Sequence, residues 1–198
     1  MEQRKGRNTM IGAVISMVES ATETTTRDIG IDQVLTAIRT GGKKLLLQID
    51  QIRDKLRYGD ATAKKLAGEL KKQLPAVMWS GTFSQRANDK LMKHSGLLCA
   101  DLDSLGAQMV EVREKLQKSP HVVAAFLSPS GDGLKAVFRV PADATKHEGS
   151  FRAIEKHIKE LTGVQIDKSG KDVSRLCFVS YDPDLYLNEN AIEIEPLP

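Results

Sequence analysis

The 198-residue sequence has few aromatic residues, only two cysteines and no long apolar run. No apolar stretch approaches the length of a membrane span, which predicts that the protein has no membrane partner. The basic start MEQRKGR and the apolar MIGAVISMV are not followed by a small-residue cleavage site, which argues against a signal peptide. Cys99 and Cys177 have no CxxC spacing and are too few for a zinc site, so we interpret them as reduced, buried residues of a cytoplasmic protein.

The sequence also lacks a strong charge excess, because 29 Lys and Arg residues stand against 26 Asp and Glu residues. A net charge of +3 permits a nucleic-acid partner but does not argue for one, since dedicated binders usually carry a clustered basic excess. The lysine pairs at 43–44, 64–65 and 71–72 are predicted to be exposed helix surfaces. With 40% apolar residues, the chain is long enough for one domain of fair size or two small lobes.

The first half of the sequence predicts a mostly helical lobe. Residues 9–19 predict a strand, and the threonine-rich residues 19–27 predict a loop. Apolar residues then recur at helical spacing, and a short strand and a polar loop follow Pro75. The predicted helices are 31–40, 45–57 and 61–74, and the predicted strand lies within PAVMWSG.

From residue 96 onward the pattern changes to alternating strands and helices. The predicted strands are 96–103, 121–127, 134–140 and 175–180, with 164–167 as a further short candidate; one helix follows residue 103 and the other ends at Gly163. The order βαββαβ is that of an RRM-like or ferredoxin-like α+β fold, in which one antiparallel sheet carries both helices on one face. The expected strand order is 4-1-3-2. We therefore expect two lobes, 1–95 and 96–198, that form one unit.

Charged residues from three separate segments should meet at one edge of this sheet. Side-chain alternation places them on the face opposite the helices, while Leu176 and Phe178 should point inward. The first lobe is well placed to form the other wall. The converging residues are Asp101 and Asp103 at the end of the first strand, Lys135 after the glycine-rich turn SPSGDG, and Asp167, Asp172 and Arg175 before the fourth strand.

Clustered carboxylates repel one another unless a cation lies between them. Mg²⁺ or Mn²⁺ prefers oxygen ligands and is commonly held by one or two carboxylates together with phosphate oxygens. Lys135, Arg175 and the backbone amides of the glycine-rich turn would supply positive charge to those phosphates. A metal ion bound beside a triphosphate is typical of enzymes that catalyse phosphoryl or nucleotidyl transfer.

Three stretches, LLCADLD, SPSGDGLK and IDKSGKDVSRLCFVSYDPDLYLN, resemble the ordered motifs of the archaeo-eukaryotic primase superfamily. They resemble more closely the N-terminal domain of VirE-type proteins of bacterial mobile elements, over roughly residues 40–190. The resemblance implies a primase-polymerase fold in which an RRM-like sheet joins a smaller α/β lobe. It also implies nucleoside triphosphates and a single-stranded DNA template as partners in DNA replication, with Mg²⁺ or Mn²⁺ as cofactor.

The resemblance assigns roles to individual residues. Asp101, Asp103 and Asp167 match the catalytic metal ligands, with Asp172 competing with Asp167 for the third position. Lys135 stands where the superfamily usually has a histidine that contacts the phosphates, which keeps the positive charge but loses the imidazole. The expected nucleotide-binding residues are Ser130, Gly131, Gly133, Lys135 and Arg175.

Two other interpretations remain open at this point. The chain could be a catalytically inactive nucleic-acid-binding module that guides a helicase domain or partner. It could also be an RRM-like interaction domain, in which SPSGDG is a plain hairpin turn and Arg175 pairs with Asp167 or Asp172. Trp79 and Phe83 could stack on bases, although core packing explains them as well.

Overall fold

The computed structural model describes residues 12–198, so residues 9–11 of the first predicted strand lie outside the described residues. Within this range the chain forms ten strands and five α-helices, joined by short 3-10 turns. The strands are β1 Val14–Val18, β2 Arg27–Gly30, β3 Ala76–Met78, β4 Gly81–Phe83, β5 Leu91–His94, β6 Leu97–Leu102, β7 Val122–Leu127, β8 Leu134–Arg139, β9 Cys177–Phe178 and β10 Tyr186–Leu187. The helices are α1 Ile31–Thr40, α2 Lys43–Tyr58, α3 Ala61–Lys72, α4 Met109–Lys118 and α5 His147–Thr162.

The helices lie where the apolar periodicity predicts them. In α1, the buried side chains are Ile31, Val34, Leu35 and Ile38, the four positions that carry the helical spacing. Asp60 caps α3 by accepting a hydrogen bond from the backbone N–H of Ala63. Helix α5 ends at Gly163, whose positive φ of 79° suits a residue without Cβ.

The first sheet has the antiparallel order β2-β1-β3-β9, and a separate hairpin joins β4 to β5. The sequence does not predict strands β2, β4 and β5, because the pattern around them indicates loops. Each has three or four residues, too few to show an apolar alternation. Pairing with neighbouring strands, rather than local pattern, makes these segments extended.

The second sheet has the antiparallel order β10-β7-β8-β6. The neighbours β6, β8 and β7 confirm the predicted 1-3-2 part of the order. The prediction is wrong for the fourth strand, because β9 pairs with β3 in the first sheet and β10 takes the far edge beside β7. The backbone N–H of Asp167 donates a hydrogen bond to the Asp101 carbonyl at the unpaired edge of β6. A 3-10 turn over residues 168–171 follows, and the next strand, β9, pairs with β3 of the first sheet.

The second sheet is buried on both faces. Leu98, Ala100, Ala136 and Phe138 pack under α4 and α5, as the alternation predicts. The opposite face packs against the first sheet and α1 through side chains that include Leu97, Phe126, Val137 and Trp79. The first half of the chain therefore covers the face that carries Asp101 and Lys135.

The crossing of β9 also changes which of its side chains are buried. Cys177 joins the core between the two sheets, and Phe178 packs against the cluster formed by α2 and α3. Leu176 lines a small cavity. The expectation that Leu176 and Phe178 point under the helices of the second sheet is therefore wrong.

None of the helices in residues 12–198 is long and apolar enough to cross a membrane.

Candidate functional site

Asp101 and Lys135 form the centre of the charged edge. The register of β6 and β8 places them directly opposite each other, and the Lys135 ammonium makes an ion pair with Oδ2 of Asp101. Burial lowers the pKa of Lys135, but electrostatic interactions with Cys177, Asp101 and Cys99 raise it by more. The Lys135 pKa is therefore raised overall. The other oxygen of Asp101, Oδ1, is buried and has no hydrogen-bond partner in the described part of the chain.

Asp103 follows the end of β6 and carries a perturbed carboxyl group. Desolvation and the negative charge of Asp101 raise its pKa, while Lys135 and Lys71 act in the opposite direction. Lys71 lies in the last turn of α3, where burial lowers its pKa and Asp103 acts against that shift. A lysine from the first half of the chain thus acts on the same carboxylates as Lys135.

Lys71 is a candidate residue that the sequence prediction misses. The expectation of an exposed pair at 71–72 holds for Lys72, which is exposed and pairs with Glu69 at 2.8 Å, but not for the half-buried Lys71. The available signal is spacing, since Lys71 lies four residues after the fully buried Ala67 and therefore borders the inward face of α3.

Asp167 and Arg175 form a second ion pair, with 2.9 Å between Oδ2 of Asp167 and Nη2 of Arg175. Ser169 also donates its backbone N–H and its hydroxyl to Asp167, at 2.9 and 2.5 Å. These hydrogen bonds and the charge of Arg175 lower the Asp167 pKa against the effect of desolvation. Asp172 is exposed and ends the 3-10 turn, where its charge acts on His147.

The glycine-rich turn abuts the end of β6 but uses several of its own polar groups internally. The Gly131 N–H donates to the Ser128 carbonyl at 2.9 Å, and the hydroxyls of Ser128 and Ser130 lie 2.8 Å apart. Gly133 lies so close to the carbonyl of Leu102 that a Cβ would approach it to 2.5 Å. Ser130, Gly131 and Gly133 therefore lie beside the edge, and two of their polar groups are already occupied.

Arg53 of α2 contacts this turn, and the sequence analysis does not predict it. Its guanidinium donates to the carbonyl of Tyr181 at 2.9 Å and approaches that of Ser128 at 3.5 Å. Burial lowers the Arg53 pKa, and the charge of Asp182 acts against that shift. No local sequence signal distinguishes Arg53 from the other charged residues of α2.

A cavity of about 20 Å³ lies between the two sheets below this edge. That volume holds about one water molecule and is too small for a nucleotide. Cys99 and Cys177 are free thiols with sulfur atoms 3.9 Å apart, and Trp79 is buried in the wall, which supports its core-packing interpretation. The lining residues are Trp79, Ser80, Leu98, Cys99, Asp101, Lys135, Gly170, Arg175, Leu176 and Cys177.

The carboxylates fit a divalent cation only in part. Among residues 12–198 no group of three or more His, Cys, Asp or Glu side chains is arranged to hold a metal ion. Arg175 and Ser169 already satisfy Asp167, which leaves Oδ1 of Asp101 and the carboxylate of Asp103 as donors. Donors from two carboxylates suit a Mg²⁺ or Mn²⁺ ion that brings phosphate oxygens with it. The larger set that includes Asp167 and Asp172 stays a prediction.

Comparison with known families identifies one match to this chain. The family described as BT4734-like, N-terminal domain matches residues 69–187, more than half of the sequence. The matched range contains the charged edge, from Lys71 to Arg175. Searches of curated proteins and of solved structures give no match.

Proposed function

The chain belongs to the family of BT4734-like N-terminal domains, and from this membership and the charged edge we propose that it is a primase-polymerase-type nucleotidyltransferase domain. The reaction would join a nucleotide, taken from a nucleoside triphosphate, to the 3′-hydroxyl of a primer or of a first nucleotide on a single-stranded DNA template. The observation that carries the proposal is the buried Oδ1 of Asp101, which has no hydrogen-bond partner among residues 12–198, together with the electrostatic interaction between Asp101 and the Asp103 carboxyl group. An acidic pair of this kind, with lysines on both sides, suits a cation and a polyphosphate.

In this proposal the acidic side chains would bind the cation and the basic side chains would bind the phosphates. Asp101 and Asp103 would hold Mg²⁺ or Mn²⁺, which when bound neutralises the phosphates and lowers the pKa of a bound hydroxyl. Lys135 and Lys71 lie close enough to act electrostatically on Asp103 and would attract the phosphate oxygens. Asp167 would orient Arg175 toward the same phosphates.

A second candidate is a non-catalytic nucleic-acid-binding module attached to a helicase. The supporting observation is that the protein's own cations pair with Asp101 and Asp167. Neutralised carboxylates need no metal, and in that case the edge would be structural. Binding of single-stranded DNA would then persist without any turnover.

A primer-extension assay with Mg²⁺ and Mn²⁺ in turn separates the two candidates. We expect incorporation by the unmodified chain and a loss of at least about 100-fold in the Asp101→Asn, Asp103→Asn double variant, because both metal oxygens lose their charge. The matched control is Asp89→Asn with Glu114→Gln, two exposed acids, which should leave the rate unchanged. Absence of incorporation with either metal, together with DNA binding, would support the non-catalytic candidate instead.

A further inference from the structure

A basic groove lies on the outer side of α5, away from the core. The inward side chains of α5, including Ile154 and Ile158, pack on the second sheet. The groove has a volume of about 450 Å³ and is lined by four cations, one acid, Gln165 and Leu197. The cations are Arg152, Lys156, Lys159 and Lys168, and the acid is Glu155.

The cations of this groove are not all neutralised by neighbouring acids. Arg152 pairs with Glu148 at 2.9 Å, and Lys156 lies 3.9 Å from Glu160. Lys159 and Lys168 are exposed, and neither makes an ion pair with another residue of the described range. The groove therefore retains positive charge for an anionic ligand.

The groove and the charged edge lie on two sides of one short segment. Gln165 and Lys168 line the groove, and Ile166 between them is buried in the core under the helices. Asp167 points the other way, to Arg175. Residues 165–168 therefore contribute both to the lining of the groove and to the Asp167–Arg175 pair of the charged edge.

We propose that this groove binds the phosphate backbone of a single-stranded nucleic acid whose end reaches the charged edge. The proposal rests on the nucleotidyltransferase function, because it makes that strand the template or primer. Lys159 and Lys168 supply the charge that no acid of the described range pairs with. Arg152, Lys156 and Lys159 repeat at helical spacing over about 10 Å of the α5 axis, a length that faces about two or three consecutive phosphates. None of the described lining residues is aromatic, so the groove contacts the backbone rather than stacking bases.

The test is the salt dependence of binding to a fluorescently labelled 20-nucleotide oligo-dT, measured by anisotropy with EDTA and without nucleotide. We expect Lys159→Gln with Lys168→Gln to weaken binding by about fivefold to tenfold at low salt. The slope of log K against log salt should also fall by about 1.4, since each single-strand phosphate contact contributes about 0.7. The control is Lys43→Gln with Lys44→Gln, which removes the same charge from exposed positions at the start of α2.

The outcomes separate the groove from the function of the edge. Equal slopes and affinities for the two double variants would overturn the groove assignment, and so would failure of the unmodified chain to bind the oligonucleotide. A groove variant that loses affinity for inorganic triphosphate but not for oligo-dT would overturn it as well. If oligo-dT binding depends on Lys159 and Lys168 while primer extension fails, the groove assignment stands and the proposed function fails. Circular dichroism of each variant confirms that it is folded.

Discussion

At the scale of single residues, Asp101 and Lys135 show how the fold places an ion pair on a covered face of a sheet. Both lie on the sheet face that the first half of the chain covers, and only 8% of Lys135 is exposed. Removing one member of such a pair leaves the other charge buried without compensation. Asp101 is especially sensitive, since its Oδ1 already has no partner among the described groups.

We predict that Lys135→Met lowers the free energy of unfolding by about 3 kcal/mol, because it leaves the half-buried Asp101 carboxylate unpaired. Adding Asp101→Asn should restore part of that loss, with a coupling of at least about 1 kcal/mol in a double-mutant cycle. Urea unfolding measures all four proteins. Lys72→Met, at an exposed pair with Glu69, is the control and should change stability by less than about 0.5 kcal/mol. Additive losses would contradict the pairing.

A residue of the charged edge can be predicted from the sequence when it lies on or next to a paired strand, but not when it lies on a helix. Asp101, Asp103 and Lys135 lie on or directly after paired strands, where the two-residue period fixes the face. Lys71 and Arg53 come from helices whose docking depends on tertiary packing. Spacing from Ala67 indicates that Lys71 borders the inward face of α3, but no local pattern distinguishes Arg53 or brings either residue to the edge. The sequence predicts the position of the glycine-rich turn beside β6, but not the hydrogen bonds within the turn.

At the scale of elements, the turn between β7 and β8 depends on a glycine with left-handed backbone geometry. Gly131 has a φ of +75°, and a Cβ there would lie 3.3 Å from Nε of Arg53. We predict that Gly131→Ala lowers the free energy of unfolding by about 1–2 kcal/mol. Gly68→Ala in α3, where a Cβ meets nothing within 4 Å, is the matched control and should stabilise by up to about 1 kcal/mol. Chemical denaturation of both variants tests the opposite signs, and equal effects would contradict the strain argument.

A buried histidine pair joins the end of β5 to the start of α5. Nε2 of His94 lies 3.1 Å from Nδ1 of His147, and Nδ1 of His94 accepts the backbone N–H of Gly96. Burial lowers the pKa of both rings, and with the charge of His94 it lowers that of His147 to about 4. Protonation of His147 is therefore disfavoured in the folded state.

This pair predicts a loss of stability in mild acid. Between about pH 6.5, where an unfolded histidine titrates, and about pH 4, the unfolded chain binds a proton that folded His147 does not. Stability is thus fully present above that range and falls as the pH decreases, by about 3 kcal/mol. Thermal unfolding from pH 7 to pH 4 measures the fall, and His147→Gln should flatten it. His121→Gln is the comparison, and an unchanged pH profile in the His147 variant would contradict the assignment.

Predictability of the elements follows their length and their number of partners. The five helices and the neighbours β6, β8 and β7 carry enough residues for a clear apolar period. Segment 175–180 also alternates, but alternation specifies a face and not a sheet, so its pairing with β3 could not be foreseen. The short edge strand β2 has no fully buried residue, which leaves no period to detect.

At the scale of the whole molecule, the two halves of the sequence share one core. Residues from β1, β3 and α1 pack with Leu97, Phe126 and Val137 of the second sheet. In return, β9 from the second half supplies the fourth strand of the first sheet. The division of the chain at residues 95 and 96, which the change of sequence pattern predicts, can therefore be tested as a question of cooperativity.

We predict that a fragment of residues 96–198 does not fold cooperatively on its own. Without the first half, one whole face of its sheet would expose Leu97, Phe126 and Val137, and β9 would have no partner strand. The fragment should bind a hydrophobic dye and lack the sharp thermal transition of the full chain, as expected of a state without fixed packing. Mixing it with residues 1–95 should restore the transition, because the missing face and strand partner return together. A sharp transition in the isolated fragment would show that residues 96–198 are an independent domain and that the shared core is a docking surface between two folded units.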